Sequence, residues 1–392
     1  MWRDLGGAMR LCYVILSPTF GMHQYTSDLA NRLAGASESD SSAAEVTVIA
    51  PFRIALDRYA PHIKVLPLVK IEGTGLRRTN LNLRGLYQVY RAIKNSRPDV
   101  VHFTGPHIWN PILLQLLRHA HIPTVHTIHD LDPHSGASYG RLLHLWNGLI
   151  LRWAGQILVH GQIYRDRLVA RGVPPQRVLY TPLLMLCLSY HAEATLRQRA
   201  PLVNYEPFAL FFGRIEAYKG VDVLIEALRR ISNPIGLRAI VAGRRSDEYT
   251  LPAILPDNVE LRLHQIDDAE AIDLFSRCGV VVLPYRDATQ SALIATAYFF
   301  GKPVIVTRTG ALPEYVVEGQ TGWIIDPENA GQLAGALQTA LGDLTHASQV
   351  GGAGHEWYQA QRRQELKALK LLYEELTLGE QRAQLVTERL GK

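Results

Sequence analysis

Phe211-Phe212-Gly213-Arg214-Ile215-Glu216-Ala217-Tyr218-Lys219-Gly220 joins an apolar segment to a helical one. Upstream, the short aromatic run over 208–212 reads as a buried strand. Downstream, Val221, Leu224, Ile225, Leu228 and Ile231 recur at the spacing of one helical face. Strand, glycine turn and helix together make half of a parallel α/β repeat. Gly213 turns the chain, and Arg214 and Lys219 place two cations at the strand's end. The helix start adds free N–H groups and the positive end of its dipole. Such a turn suits a diphosphate: each cation near 4 Å from a phosphate contributes about 4 kcal/mol at an effective dielectric near 20, before desolvation. An ordinary surface turn with solvated charges has the same residues, so the turn alone does not decide.

Strand-like and helix-like runs alternate on both sides of this turn. In the second half the pattern predicts strands over 208–212, 237–242, 259–264, 280–284, 303–307 and 321–325. Helices are predicted there over 221–231, 269–277, 291–300, 312–318 and 332–341. In the first half it predicts strands over 10–16, 45–50, 63–68, 99–103, 124–129, 156–160 and 178–180. The helices between them are expected over 23–33, 86–94, 111–119, 142–153 and 163–171, with a polar Ser-rich loop over 35–43. The fold class expected is α/β, two Rossmann-like doubly wound domains whose ligand sites face a deep interdomain cleft. The domains expected are 9–185 and 206–350, joined by a linker over 186–205 with a short helix over 191–199. A charged helical tail over 351–392 is open to packing back on the N-terminal domain.

The chain's 392 residues exceed one ordinary core. Its 47% hydrophobic and 20% charged residues fit a globular protein rather than a disordered one. Cys12, Cys187 and Cys278 lie far apart, without metal-type spacing, and read as reduced thiols. The first eight residues lack the apolar core of a signal peptide, and Met9 is an alternative start. The longest apolar run, 142–158, is interrupted by Arg152 and two glycines, so no membrane span is predicted. The location expected is cytoplasmic, open to peripheral attachment on the inner face of the membrane. The formal charge of +5 is modest, but Lys70, Arg77, Arg78, Arg84, Arg91, Lys94 and Arg97 face only one acid, Glu72, in that segment. Such a patch fits an anionic membrane surface or a solvated helix. Nucleic acid is not expected as a partner, because stacking aromatics are not interleaved with these cations.

Further candidates fall at predicted strand ends. A strand closes at Pro284, and a helix opens near Ser291, so the N–H groups of Gln290, Ser291 and Ala292 are candidates for the same anion. Gly243 follows one strand and Gln265-Ile266-Asp267 the next. In the first half Thr127-Ile128-His129-Asp130 ends a strand, and Gly21-Met22-His23 links a strand to a helix. Most of the fifteen histidines fall in this half, including His126, His129 and His134, but no Cys or acidic set stands at zinc spacing. His102 and His126 read as core histidines, His160 as a candidate site residue where a strand ends before Gly161, and Trp109 and Trp146 as packing residues.

Phe212-Gly213-Arg214 through Lys219-Gly220 belong with Gly301-Lys302-Pro303-Val304, Gly310-Ala311-Leu312-Pro313-Glu314 and Gly319-Gln320-Thr321-Gly322. In this order and spacing they resemble the signature of the retaining glycosyltransferases of family 4, the group 1 transferases with the GT-B fold. The resemblance is strong over 208–341, and looser but collinear over 9–182. It implies transfer of a sugar from a nucleotide-diphospho-sugar, with retention at the anomeric carbon. The nucleotide would lie on the C-terminal domain and the acceptor on the N-terminal one. Arg214 and Lys219 would neutralise the diphosphate in place of a metal ion, in keeping with the lack of an Asp-x-Asp pair. No cofactor is expected. Gly213, Gly243, Ile266, Gln290, Ser291, Ala292 and Thr296 would line the donor side. Gly21, Met22, His23 and Asp130 would add substrate contacts in the first domain. His129 would sit beside the transferred sugar. Asp130 fits positioning His129, binding acceptor or capping a helix, and Glu314 is expected to pin a turn. The chain departs from the family at Ala288 and Thr296, where most members carry two glutamates. That departure leaves an inactive glycosyltransferase-like scaffold as an alternative, alongside a nucleotide-sugar 2-epimerase of the same architecture. Polysaccharide or glycolipid assembly is the role expected, with base, sugar and acceptor unspecified.

Overall fold

The computed structural model describes residues 8–35, 43–75, 77–131, 140–198, 204–231 and 236–390. Most of the Ser-rich loop, His134 and residues 199–203 of the expected linker lie outside the described residues. Two compact units divide the chain. The first comprises residues 1–160, 164–181 and everything from Arg363 onward; the second comprises 161–163 and 182–362.

Among the described residues the first unit is built on seven parallel strands: β1 (Arg10–Val14), β2 (Glu45–Pro51), β3 (Lys64–Val69), β4 (Val100–Phe103), β5 (Thr124–Thr127), β6 (Gln156–Val159) and β7 (Val178–Tyr180). Their order is β3-β2-β1-β4-β5-β6-β7, the doubly wound arrangement the alternation predicts. The second unit has six: β8 (Phe208–Phe212), β9 (Arg238–Ala242), β10 (Val259–Arg262), β11 (Val280–Leu283), β12 (Val304–Thr307) and β13 (Gly322–Ile325), ordered β10-β9-β8-β11-β12-β13. In both sheets the chain reverses direction of travel beside the first strand, at β1/β4 and β8/β11. Ligand crevices of open α/β sheets form at such points. Central strands such as β4, β5, β11 and β12 are buried at every position, as sheets covered on both faces require.

The helices are α1 (Phe20–Ala34), α2 (Leu83–Asn95), α3 (Asn110–His119), α4 (Gly140–Trp153), α5 (Gln162–Ala170), α6 (Tyr190–Gln198), α7 (Val221–Arg229), α8 (Asp268–Arg277), α9 (Ala292–Phe299), α10 (Ala330–Gly342) and α11 (Leu344–Leu390). Three sequence expectations need correction. Gly21 and Met22 belong to the first turn of α1, which opens at Phe20 rather than at the expected His23, because Met22 and His23 N–H both bond Thr19 O. The helix expected over 312–318 is only a 3-10 turn, Leu312–Tyr315. There Val316 turns extended, and Val317 N–H goes to the Thr321 hydroxyl. The closing helix starts ahead of its expected place and runs through Gly351, Gly352 and Gly354. Gly351 and Gly354 mark close packing: a Cβ on Gly351 would stand 1.8 Å from Gly301 O, and one on Gly354 would stand 2.4 Å from the Tyr298 ring.

Candidate functional site

In the second unit, Gly213 follows β8 with φ 102°. Its N–H bonds Ala242 O at 2.9 Å, and Ile215 bridges to Arg245, so the turn stays knit to the segment after β9. A Cβ on Gly243 would stand 2.0 Å from Gly213 O, and one on Gly220 would stand 2.0 Å from Pro284 O. Bare backbone at these positions is what lets three strand ends converge.

Lys219 closes the 3-10 turn Ala217–Lys219. Its ammonium stands 3.5 Å from the position a Cβ on Gly213 would take, with the rings of Tyr218 and Tyr285 centred 5.9 and 5.5 Å away. Burial pushes the Lys219 pKa down to about 8; Arg214 acts the same way, while Glu216 and Cys187 oppose it. Arg214 is exposed and pairs with Glu216 at 3.0 Å. The other Glu216 carboxylate oxygen is buried with no hydrogen-bond partner among the described residues.

Arg286 fastens this turn to the loop after β11. Its N–H bonds Tyr218 O at 2.7 Å, and its guanidinium donates to Ala217 O at 2.8 Å and to both oxygens of Asp222 at 2.9 and 2.6 Å. The bidentate bond holds the Asp222 carboxyl below its usual range. The loop then reaches α9, where the Ser291 hydroxyl caps Leu293 N–H at 3.4 Å and also meets Tyr285. Gln290 Oε1 is buried without a partner among the described residues. Thr296 is fully buried: its hydroxyl donates to Ala292 O and accepts from Cys187 N–H, each at 3.0 Å. Ala288 is buried too, its carbonyl so close that a Cβ on Gly310 would meet it at 1.8 Å.

The first unit gathers histidines instead. His129 lies two residues beyond β5, which ends earlier than predicted. Its Nε2 is 2.9 Å from Thr104 O, so this nitrogen carries the proton and donates. Burial lowers the His129 pKa, with the Thr104 bond and Asp130 opposing, which leaves a neutral ring whose Nδ1 accepts. Tyr25 from α1 meets His129 and His160 edge-on, each ring 5.0 Å away, and those two rings are 5.0 Å from each other. His160 Nδ1 donates to Thr181 O at 3.0 Å, and burial lowers its pKa to about 3. Behind them His102 bridges Tyr373 of α11 at 2.7 Å and Thr127 at 2.8 Å, and Thr127 reaches Tyr25 at 3.3 Å. His126 packs on Phe103 and Trp146, with Nε2 accepting from Asn110 at 3.0 Å. His23 is buried with a lowered pKa, burial being the main cause.

Contacts therefore bring together Gly213, Arg214, Lys219, Gly243 and Ser291 in one unit, and His129 with His160 in the other. Gly21 and Met22 open α1, Asp130 is half-buried beside His129, and Ala292 begins α9. Ile266 stands one residue before the Asp267 cap of α8, outside the contacts that tie Lys219 to its neighbours. The Glu314 carboxylate accepts from Gln162 and Ile163 N–H at 2.5 and 2.8 Å, within the second unit but about 150 residues away in sequence. Sequence reading overlooks Glu216, although it lies inside the decisive motif, and also Tyr285, Arg286 and Cys187, whose approach to Lys219 is purely tertiary. Among the described residues there is no cluster of metal-ligating side chains and no helix long and apolar enough to cross a membrane.

Residues 206–343 match the family model described as glycosyl transferases group 1, and residues 20–183 match a glycosyl transferase 4-like domain. A D-inositol 3-phosphate glycosyltransferase of Pseudarthrobacter chlorophenolicus is 27% identical over 68% of this chain and 68% of its own length. A GDP-mannose:glycolipid 4-beta-D-mannosyltransferase of Xanthomonas campestris is 26% identical over 62% of this chain and 66% of its own. The chain thus spans about two thirds of the length of the curated relatives it matches. Among solved structures, a sucrose-phosphate synthase from Thermosynechococcus elongatus superposes with TM-score 0.71 at 21% identity, covering 94% of this chain and all of that one. That likeness is one of fold.

Proposed function

Because the chain belongs to the group 1 glycosyltransferases, we propose that it moves a sugar, with retention and without a metal ion, from a nucleotide-diphospho-sugar to an acceptor. The observation carrying this reading is the half-buried Lys219 ammonium, set beside Arg214 at a glycine turn. Two fixed cations and the α9 N-terminus are suited to neutralising a diphosphate directly. The acceptor oxygen would bond to the anomeric carbon as the bond to the β-phosphate oxygen breaks. That departing oxygen would take the acceptor's proton, so the products are a glycoside and a nucleoside diphosphate. The protein's part is placement and charge. The first unit would receive the acceptor, and His129 Nδ1 would accept a hydrogen bond from a hydroxyl of the transferred sugar.

Release of nucleoside diphosphate from UDP- and GDP-sugars, with EDTA present, tests the reading. Turnover that Arg214→Ala and Lys219→Ala both abolish is expected; turnover only with added magnesium contradicts it. A second reading, a donor-binding scaffold without turnover, is favoured by the sealed Thr296 and carboxylate-free Ala288. It predicts nucleotide-sugar binding with no product from any acceptor.

Polysaccharide or glycolipid assembly at an anionic membrane face is the setting proposed. Leu83, Arg84, Tyr87, Arg91 and Lys94 all lie exposed on α2, mixing apolar and cationic groups as a membrane-surface helix does. Cosedimentation with phosphatidylglycerol vesicles, weakened by Arg84→Glu with Arg91→Glu, is the expected result; equal sedimentation of that variant would remove the proposal.

A further inference from the structure

We propose that Glu216 is the residue that reads the donor's sugar, selecting a neutral, hydroxyl-bearing ring over one that carries its own negative charge. The inference rests on the diphosphate reading above and names a determinant within that site. A carboxylate is an odd tenant of an anion cradle, since it repels the group the cradle holds. Yet Glu216 is fixed there. The preceding Ile215 is fully buried and bridged to Arg245, and Glu216 O accepts from Lys219 N–H at 3.0 Å. Its side chain does not cap the 3-10 turn that it precedes. Instead one oxygen takes Arg214 at 3.0 Å, and the charge is felt by both Lys219 and Tyr285.

The second oxygen is buried and accepts no hydrogen bond from any described residue. A buried acceptor without a donor is destabilising, so the position is complete only when something brings a hydrogen to it. A diphosphate brings none at neutral pH. A pyranose brings several hydroxyls, linked covalently to the phosphate that Lys219 would hold. Gln290 Oε1, at the entrance to α9, is a second buried acceptor in the same condition. Two unsatisfied acceptors beside a cationic turn match a ligand that is anionic at one end and rich in hydroxyls at the other. A carboxylated sugar would face Glu216 charge to charge and is selected against.

Equilibrium titrations with UDP, UDP-glucose, UDP-glucuronate, GDP and GDP-mannose, on the wild type and on Glu216→Gln and Glu216→Ala, test this without turnover. Removing the charge is expected to tighten UDP and GDP by about three- to tenfold. The same change is expected to weaken the productive neutral nucleotide sugar by about tenfold in Glu216→Ala and less in Glu216→Gln, which keeps a carbonyl acceptor. UDP-glucuronate should gain affinity in both variants. If free diphosphate and nucleotide sugar shift by the same factor, Glu216 does not read the sugar, and only this inference falls. If wild type binds none of the five, the diphosphate reading itself falls. The near-isosteric Glu216→Gln keeps the test valid should Glu216→Ala fold poorly.

Discussion

The two units solve the burial of polar groups in opposite ways. The first fills its centre with neutral imidazoles and hydroxyls: His102, His126, His129 and His160, tied to Tyr25, Thr127 and Tyr373. The second keeps its chemistry on backbone and charge: glycines that let carbonyls approach, two cations, and a helix N-terminus. The first arrangement depends on proton occupancy, because each ring must stay neutral to stay buried. The second depends on local shape. An added proton damages the first, and an added methyl group damages the second.

The largest effect that would separate them is steric. Gly220→Val puts a branched side chain at φ 67° and against Pro284 O. It is expected to cost the second unit about 3 kcal/mol or more, read by chemical denaturation, while hydrogen exchange in the first unit stays unchanged. Normal stability would mean the turn is looser than its contacts indicate. Next comes His129→Ala, expected to lower kcat about 100-fold while leaving the Kd of UDP or GDP within about twofold. Equal losses in both would remove His129 from the sugar's side.

Acid sharpens the comparison further. Burial lowers the pKa of His107, His126 and His160 to about 3 and lowers those of His23, His102 and His129 as well, all in the first unit. The unfolded chain then binds more protons than the folded one between about pH 6.5 and about 3, so stability is complete above about 6.5 and falls as pH drops through that window. Each such histidine contributes at most about 1.4 kcal/mol of loss per pH unit. Amide protection factors, taken relative to the intrinsic exchange rate at each pH, should therefore fall in the first unit before the second as pH drops from about 7 to about 5. Simultaneous loss of protection would erase the contrast. The smallest effect expected is from Tyr373→Phe, which removes the bonds to His102 and Tyr13 and should cost about 1–2 kcal/mol by urea denaturation.

The same contrast explains which parts of the molecule are legible in the sequence. The second unit's turn is contiguous, so Gly213, Arg214 and Lys219 stand together in the linear chain, and β8 falls where its apolar run predicts. The histidine group comes from β4, β5 and the segments after β5 and β6, and joins a tyrosine of α11 that is 271 residues from His102. No local pattern announces such a meeting. Glu216 is hidden for another reason: within a motif read for its cations, a carboxylate registers as a solvated neighbour until its second oxygen proves buried. Likewise the helix across Gly351 and Gly354 is obscured because glycine signals a break along the chain but a close contact in the fold.

Calorimetric titration of UDP and GDP from about pH 6.5 to about 9.5, with wild type and Lys219→Met, tests the diphosphate cradle most directly. The wild type should bind at least one of them, most tightly below about pH 8, and lose affinity as Lys219 gives up its proton. Lys219→Met should bind at least about tenfold more weakly and without that pH dependence. Equal affinity of the two proteins at neutral pH would contradict the account.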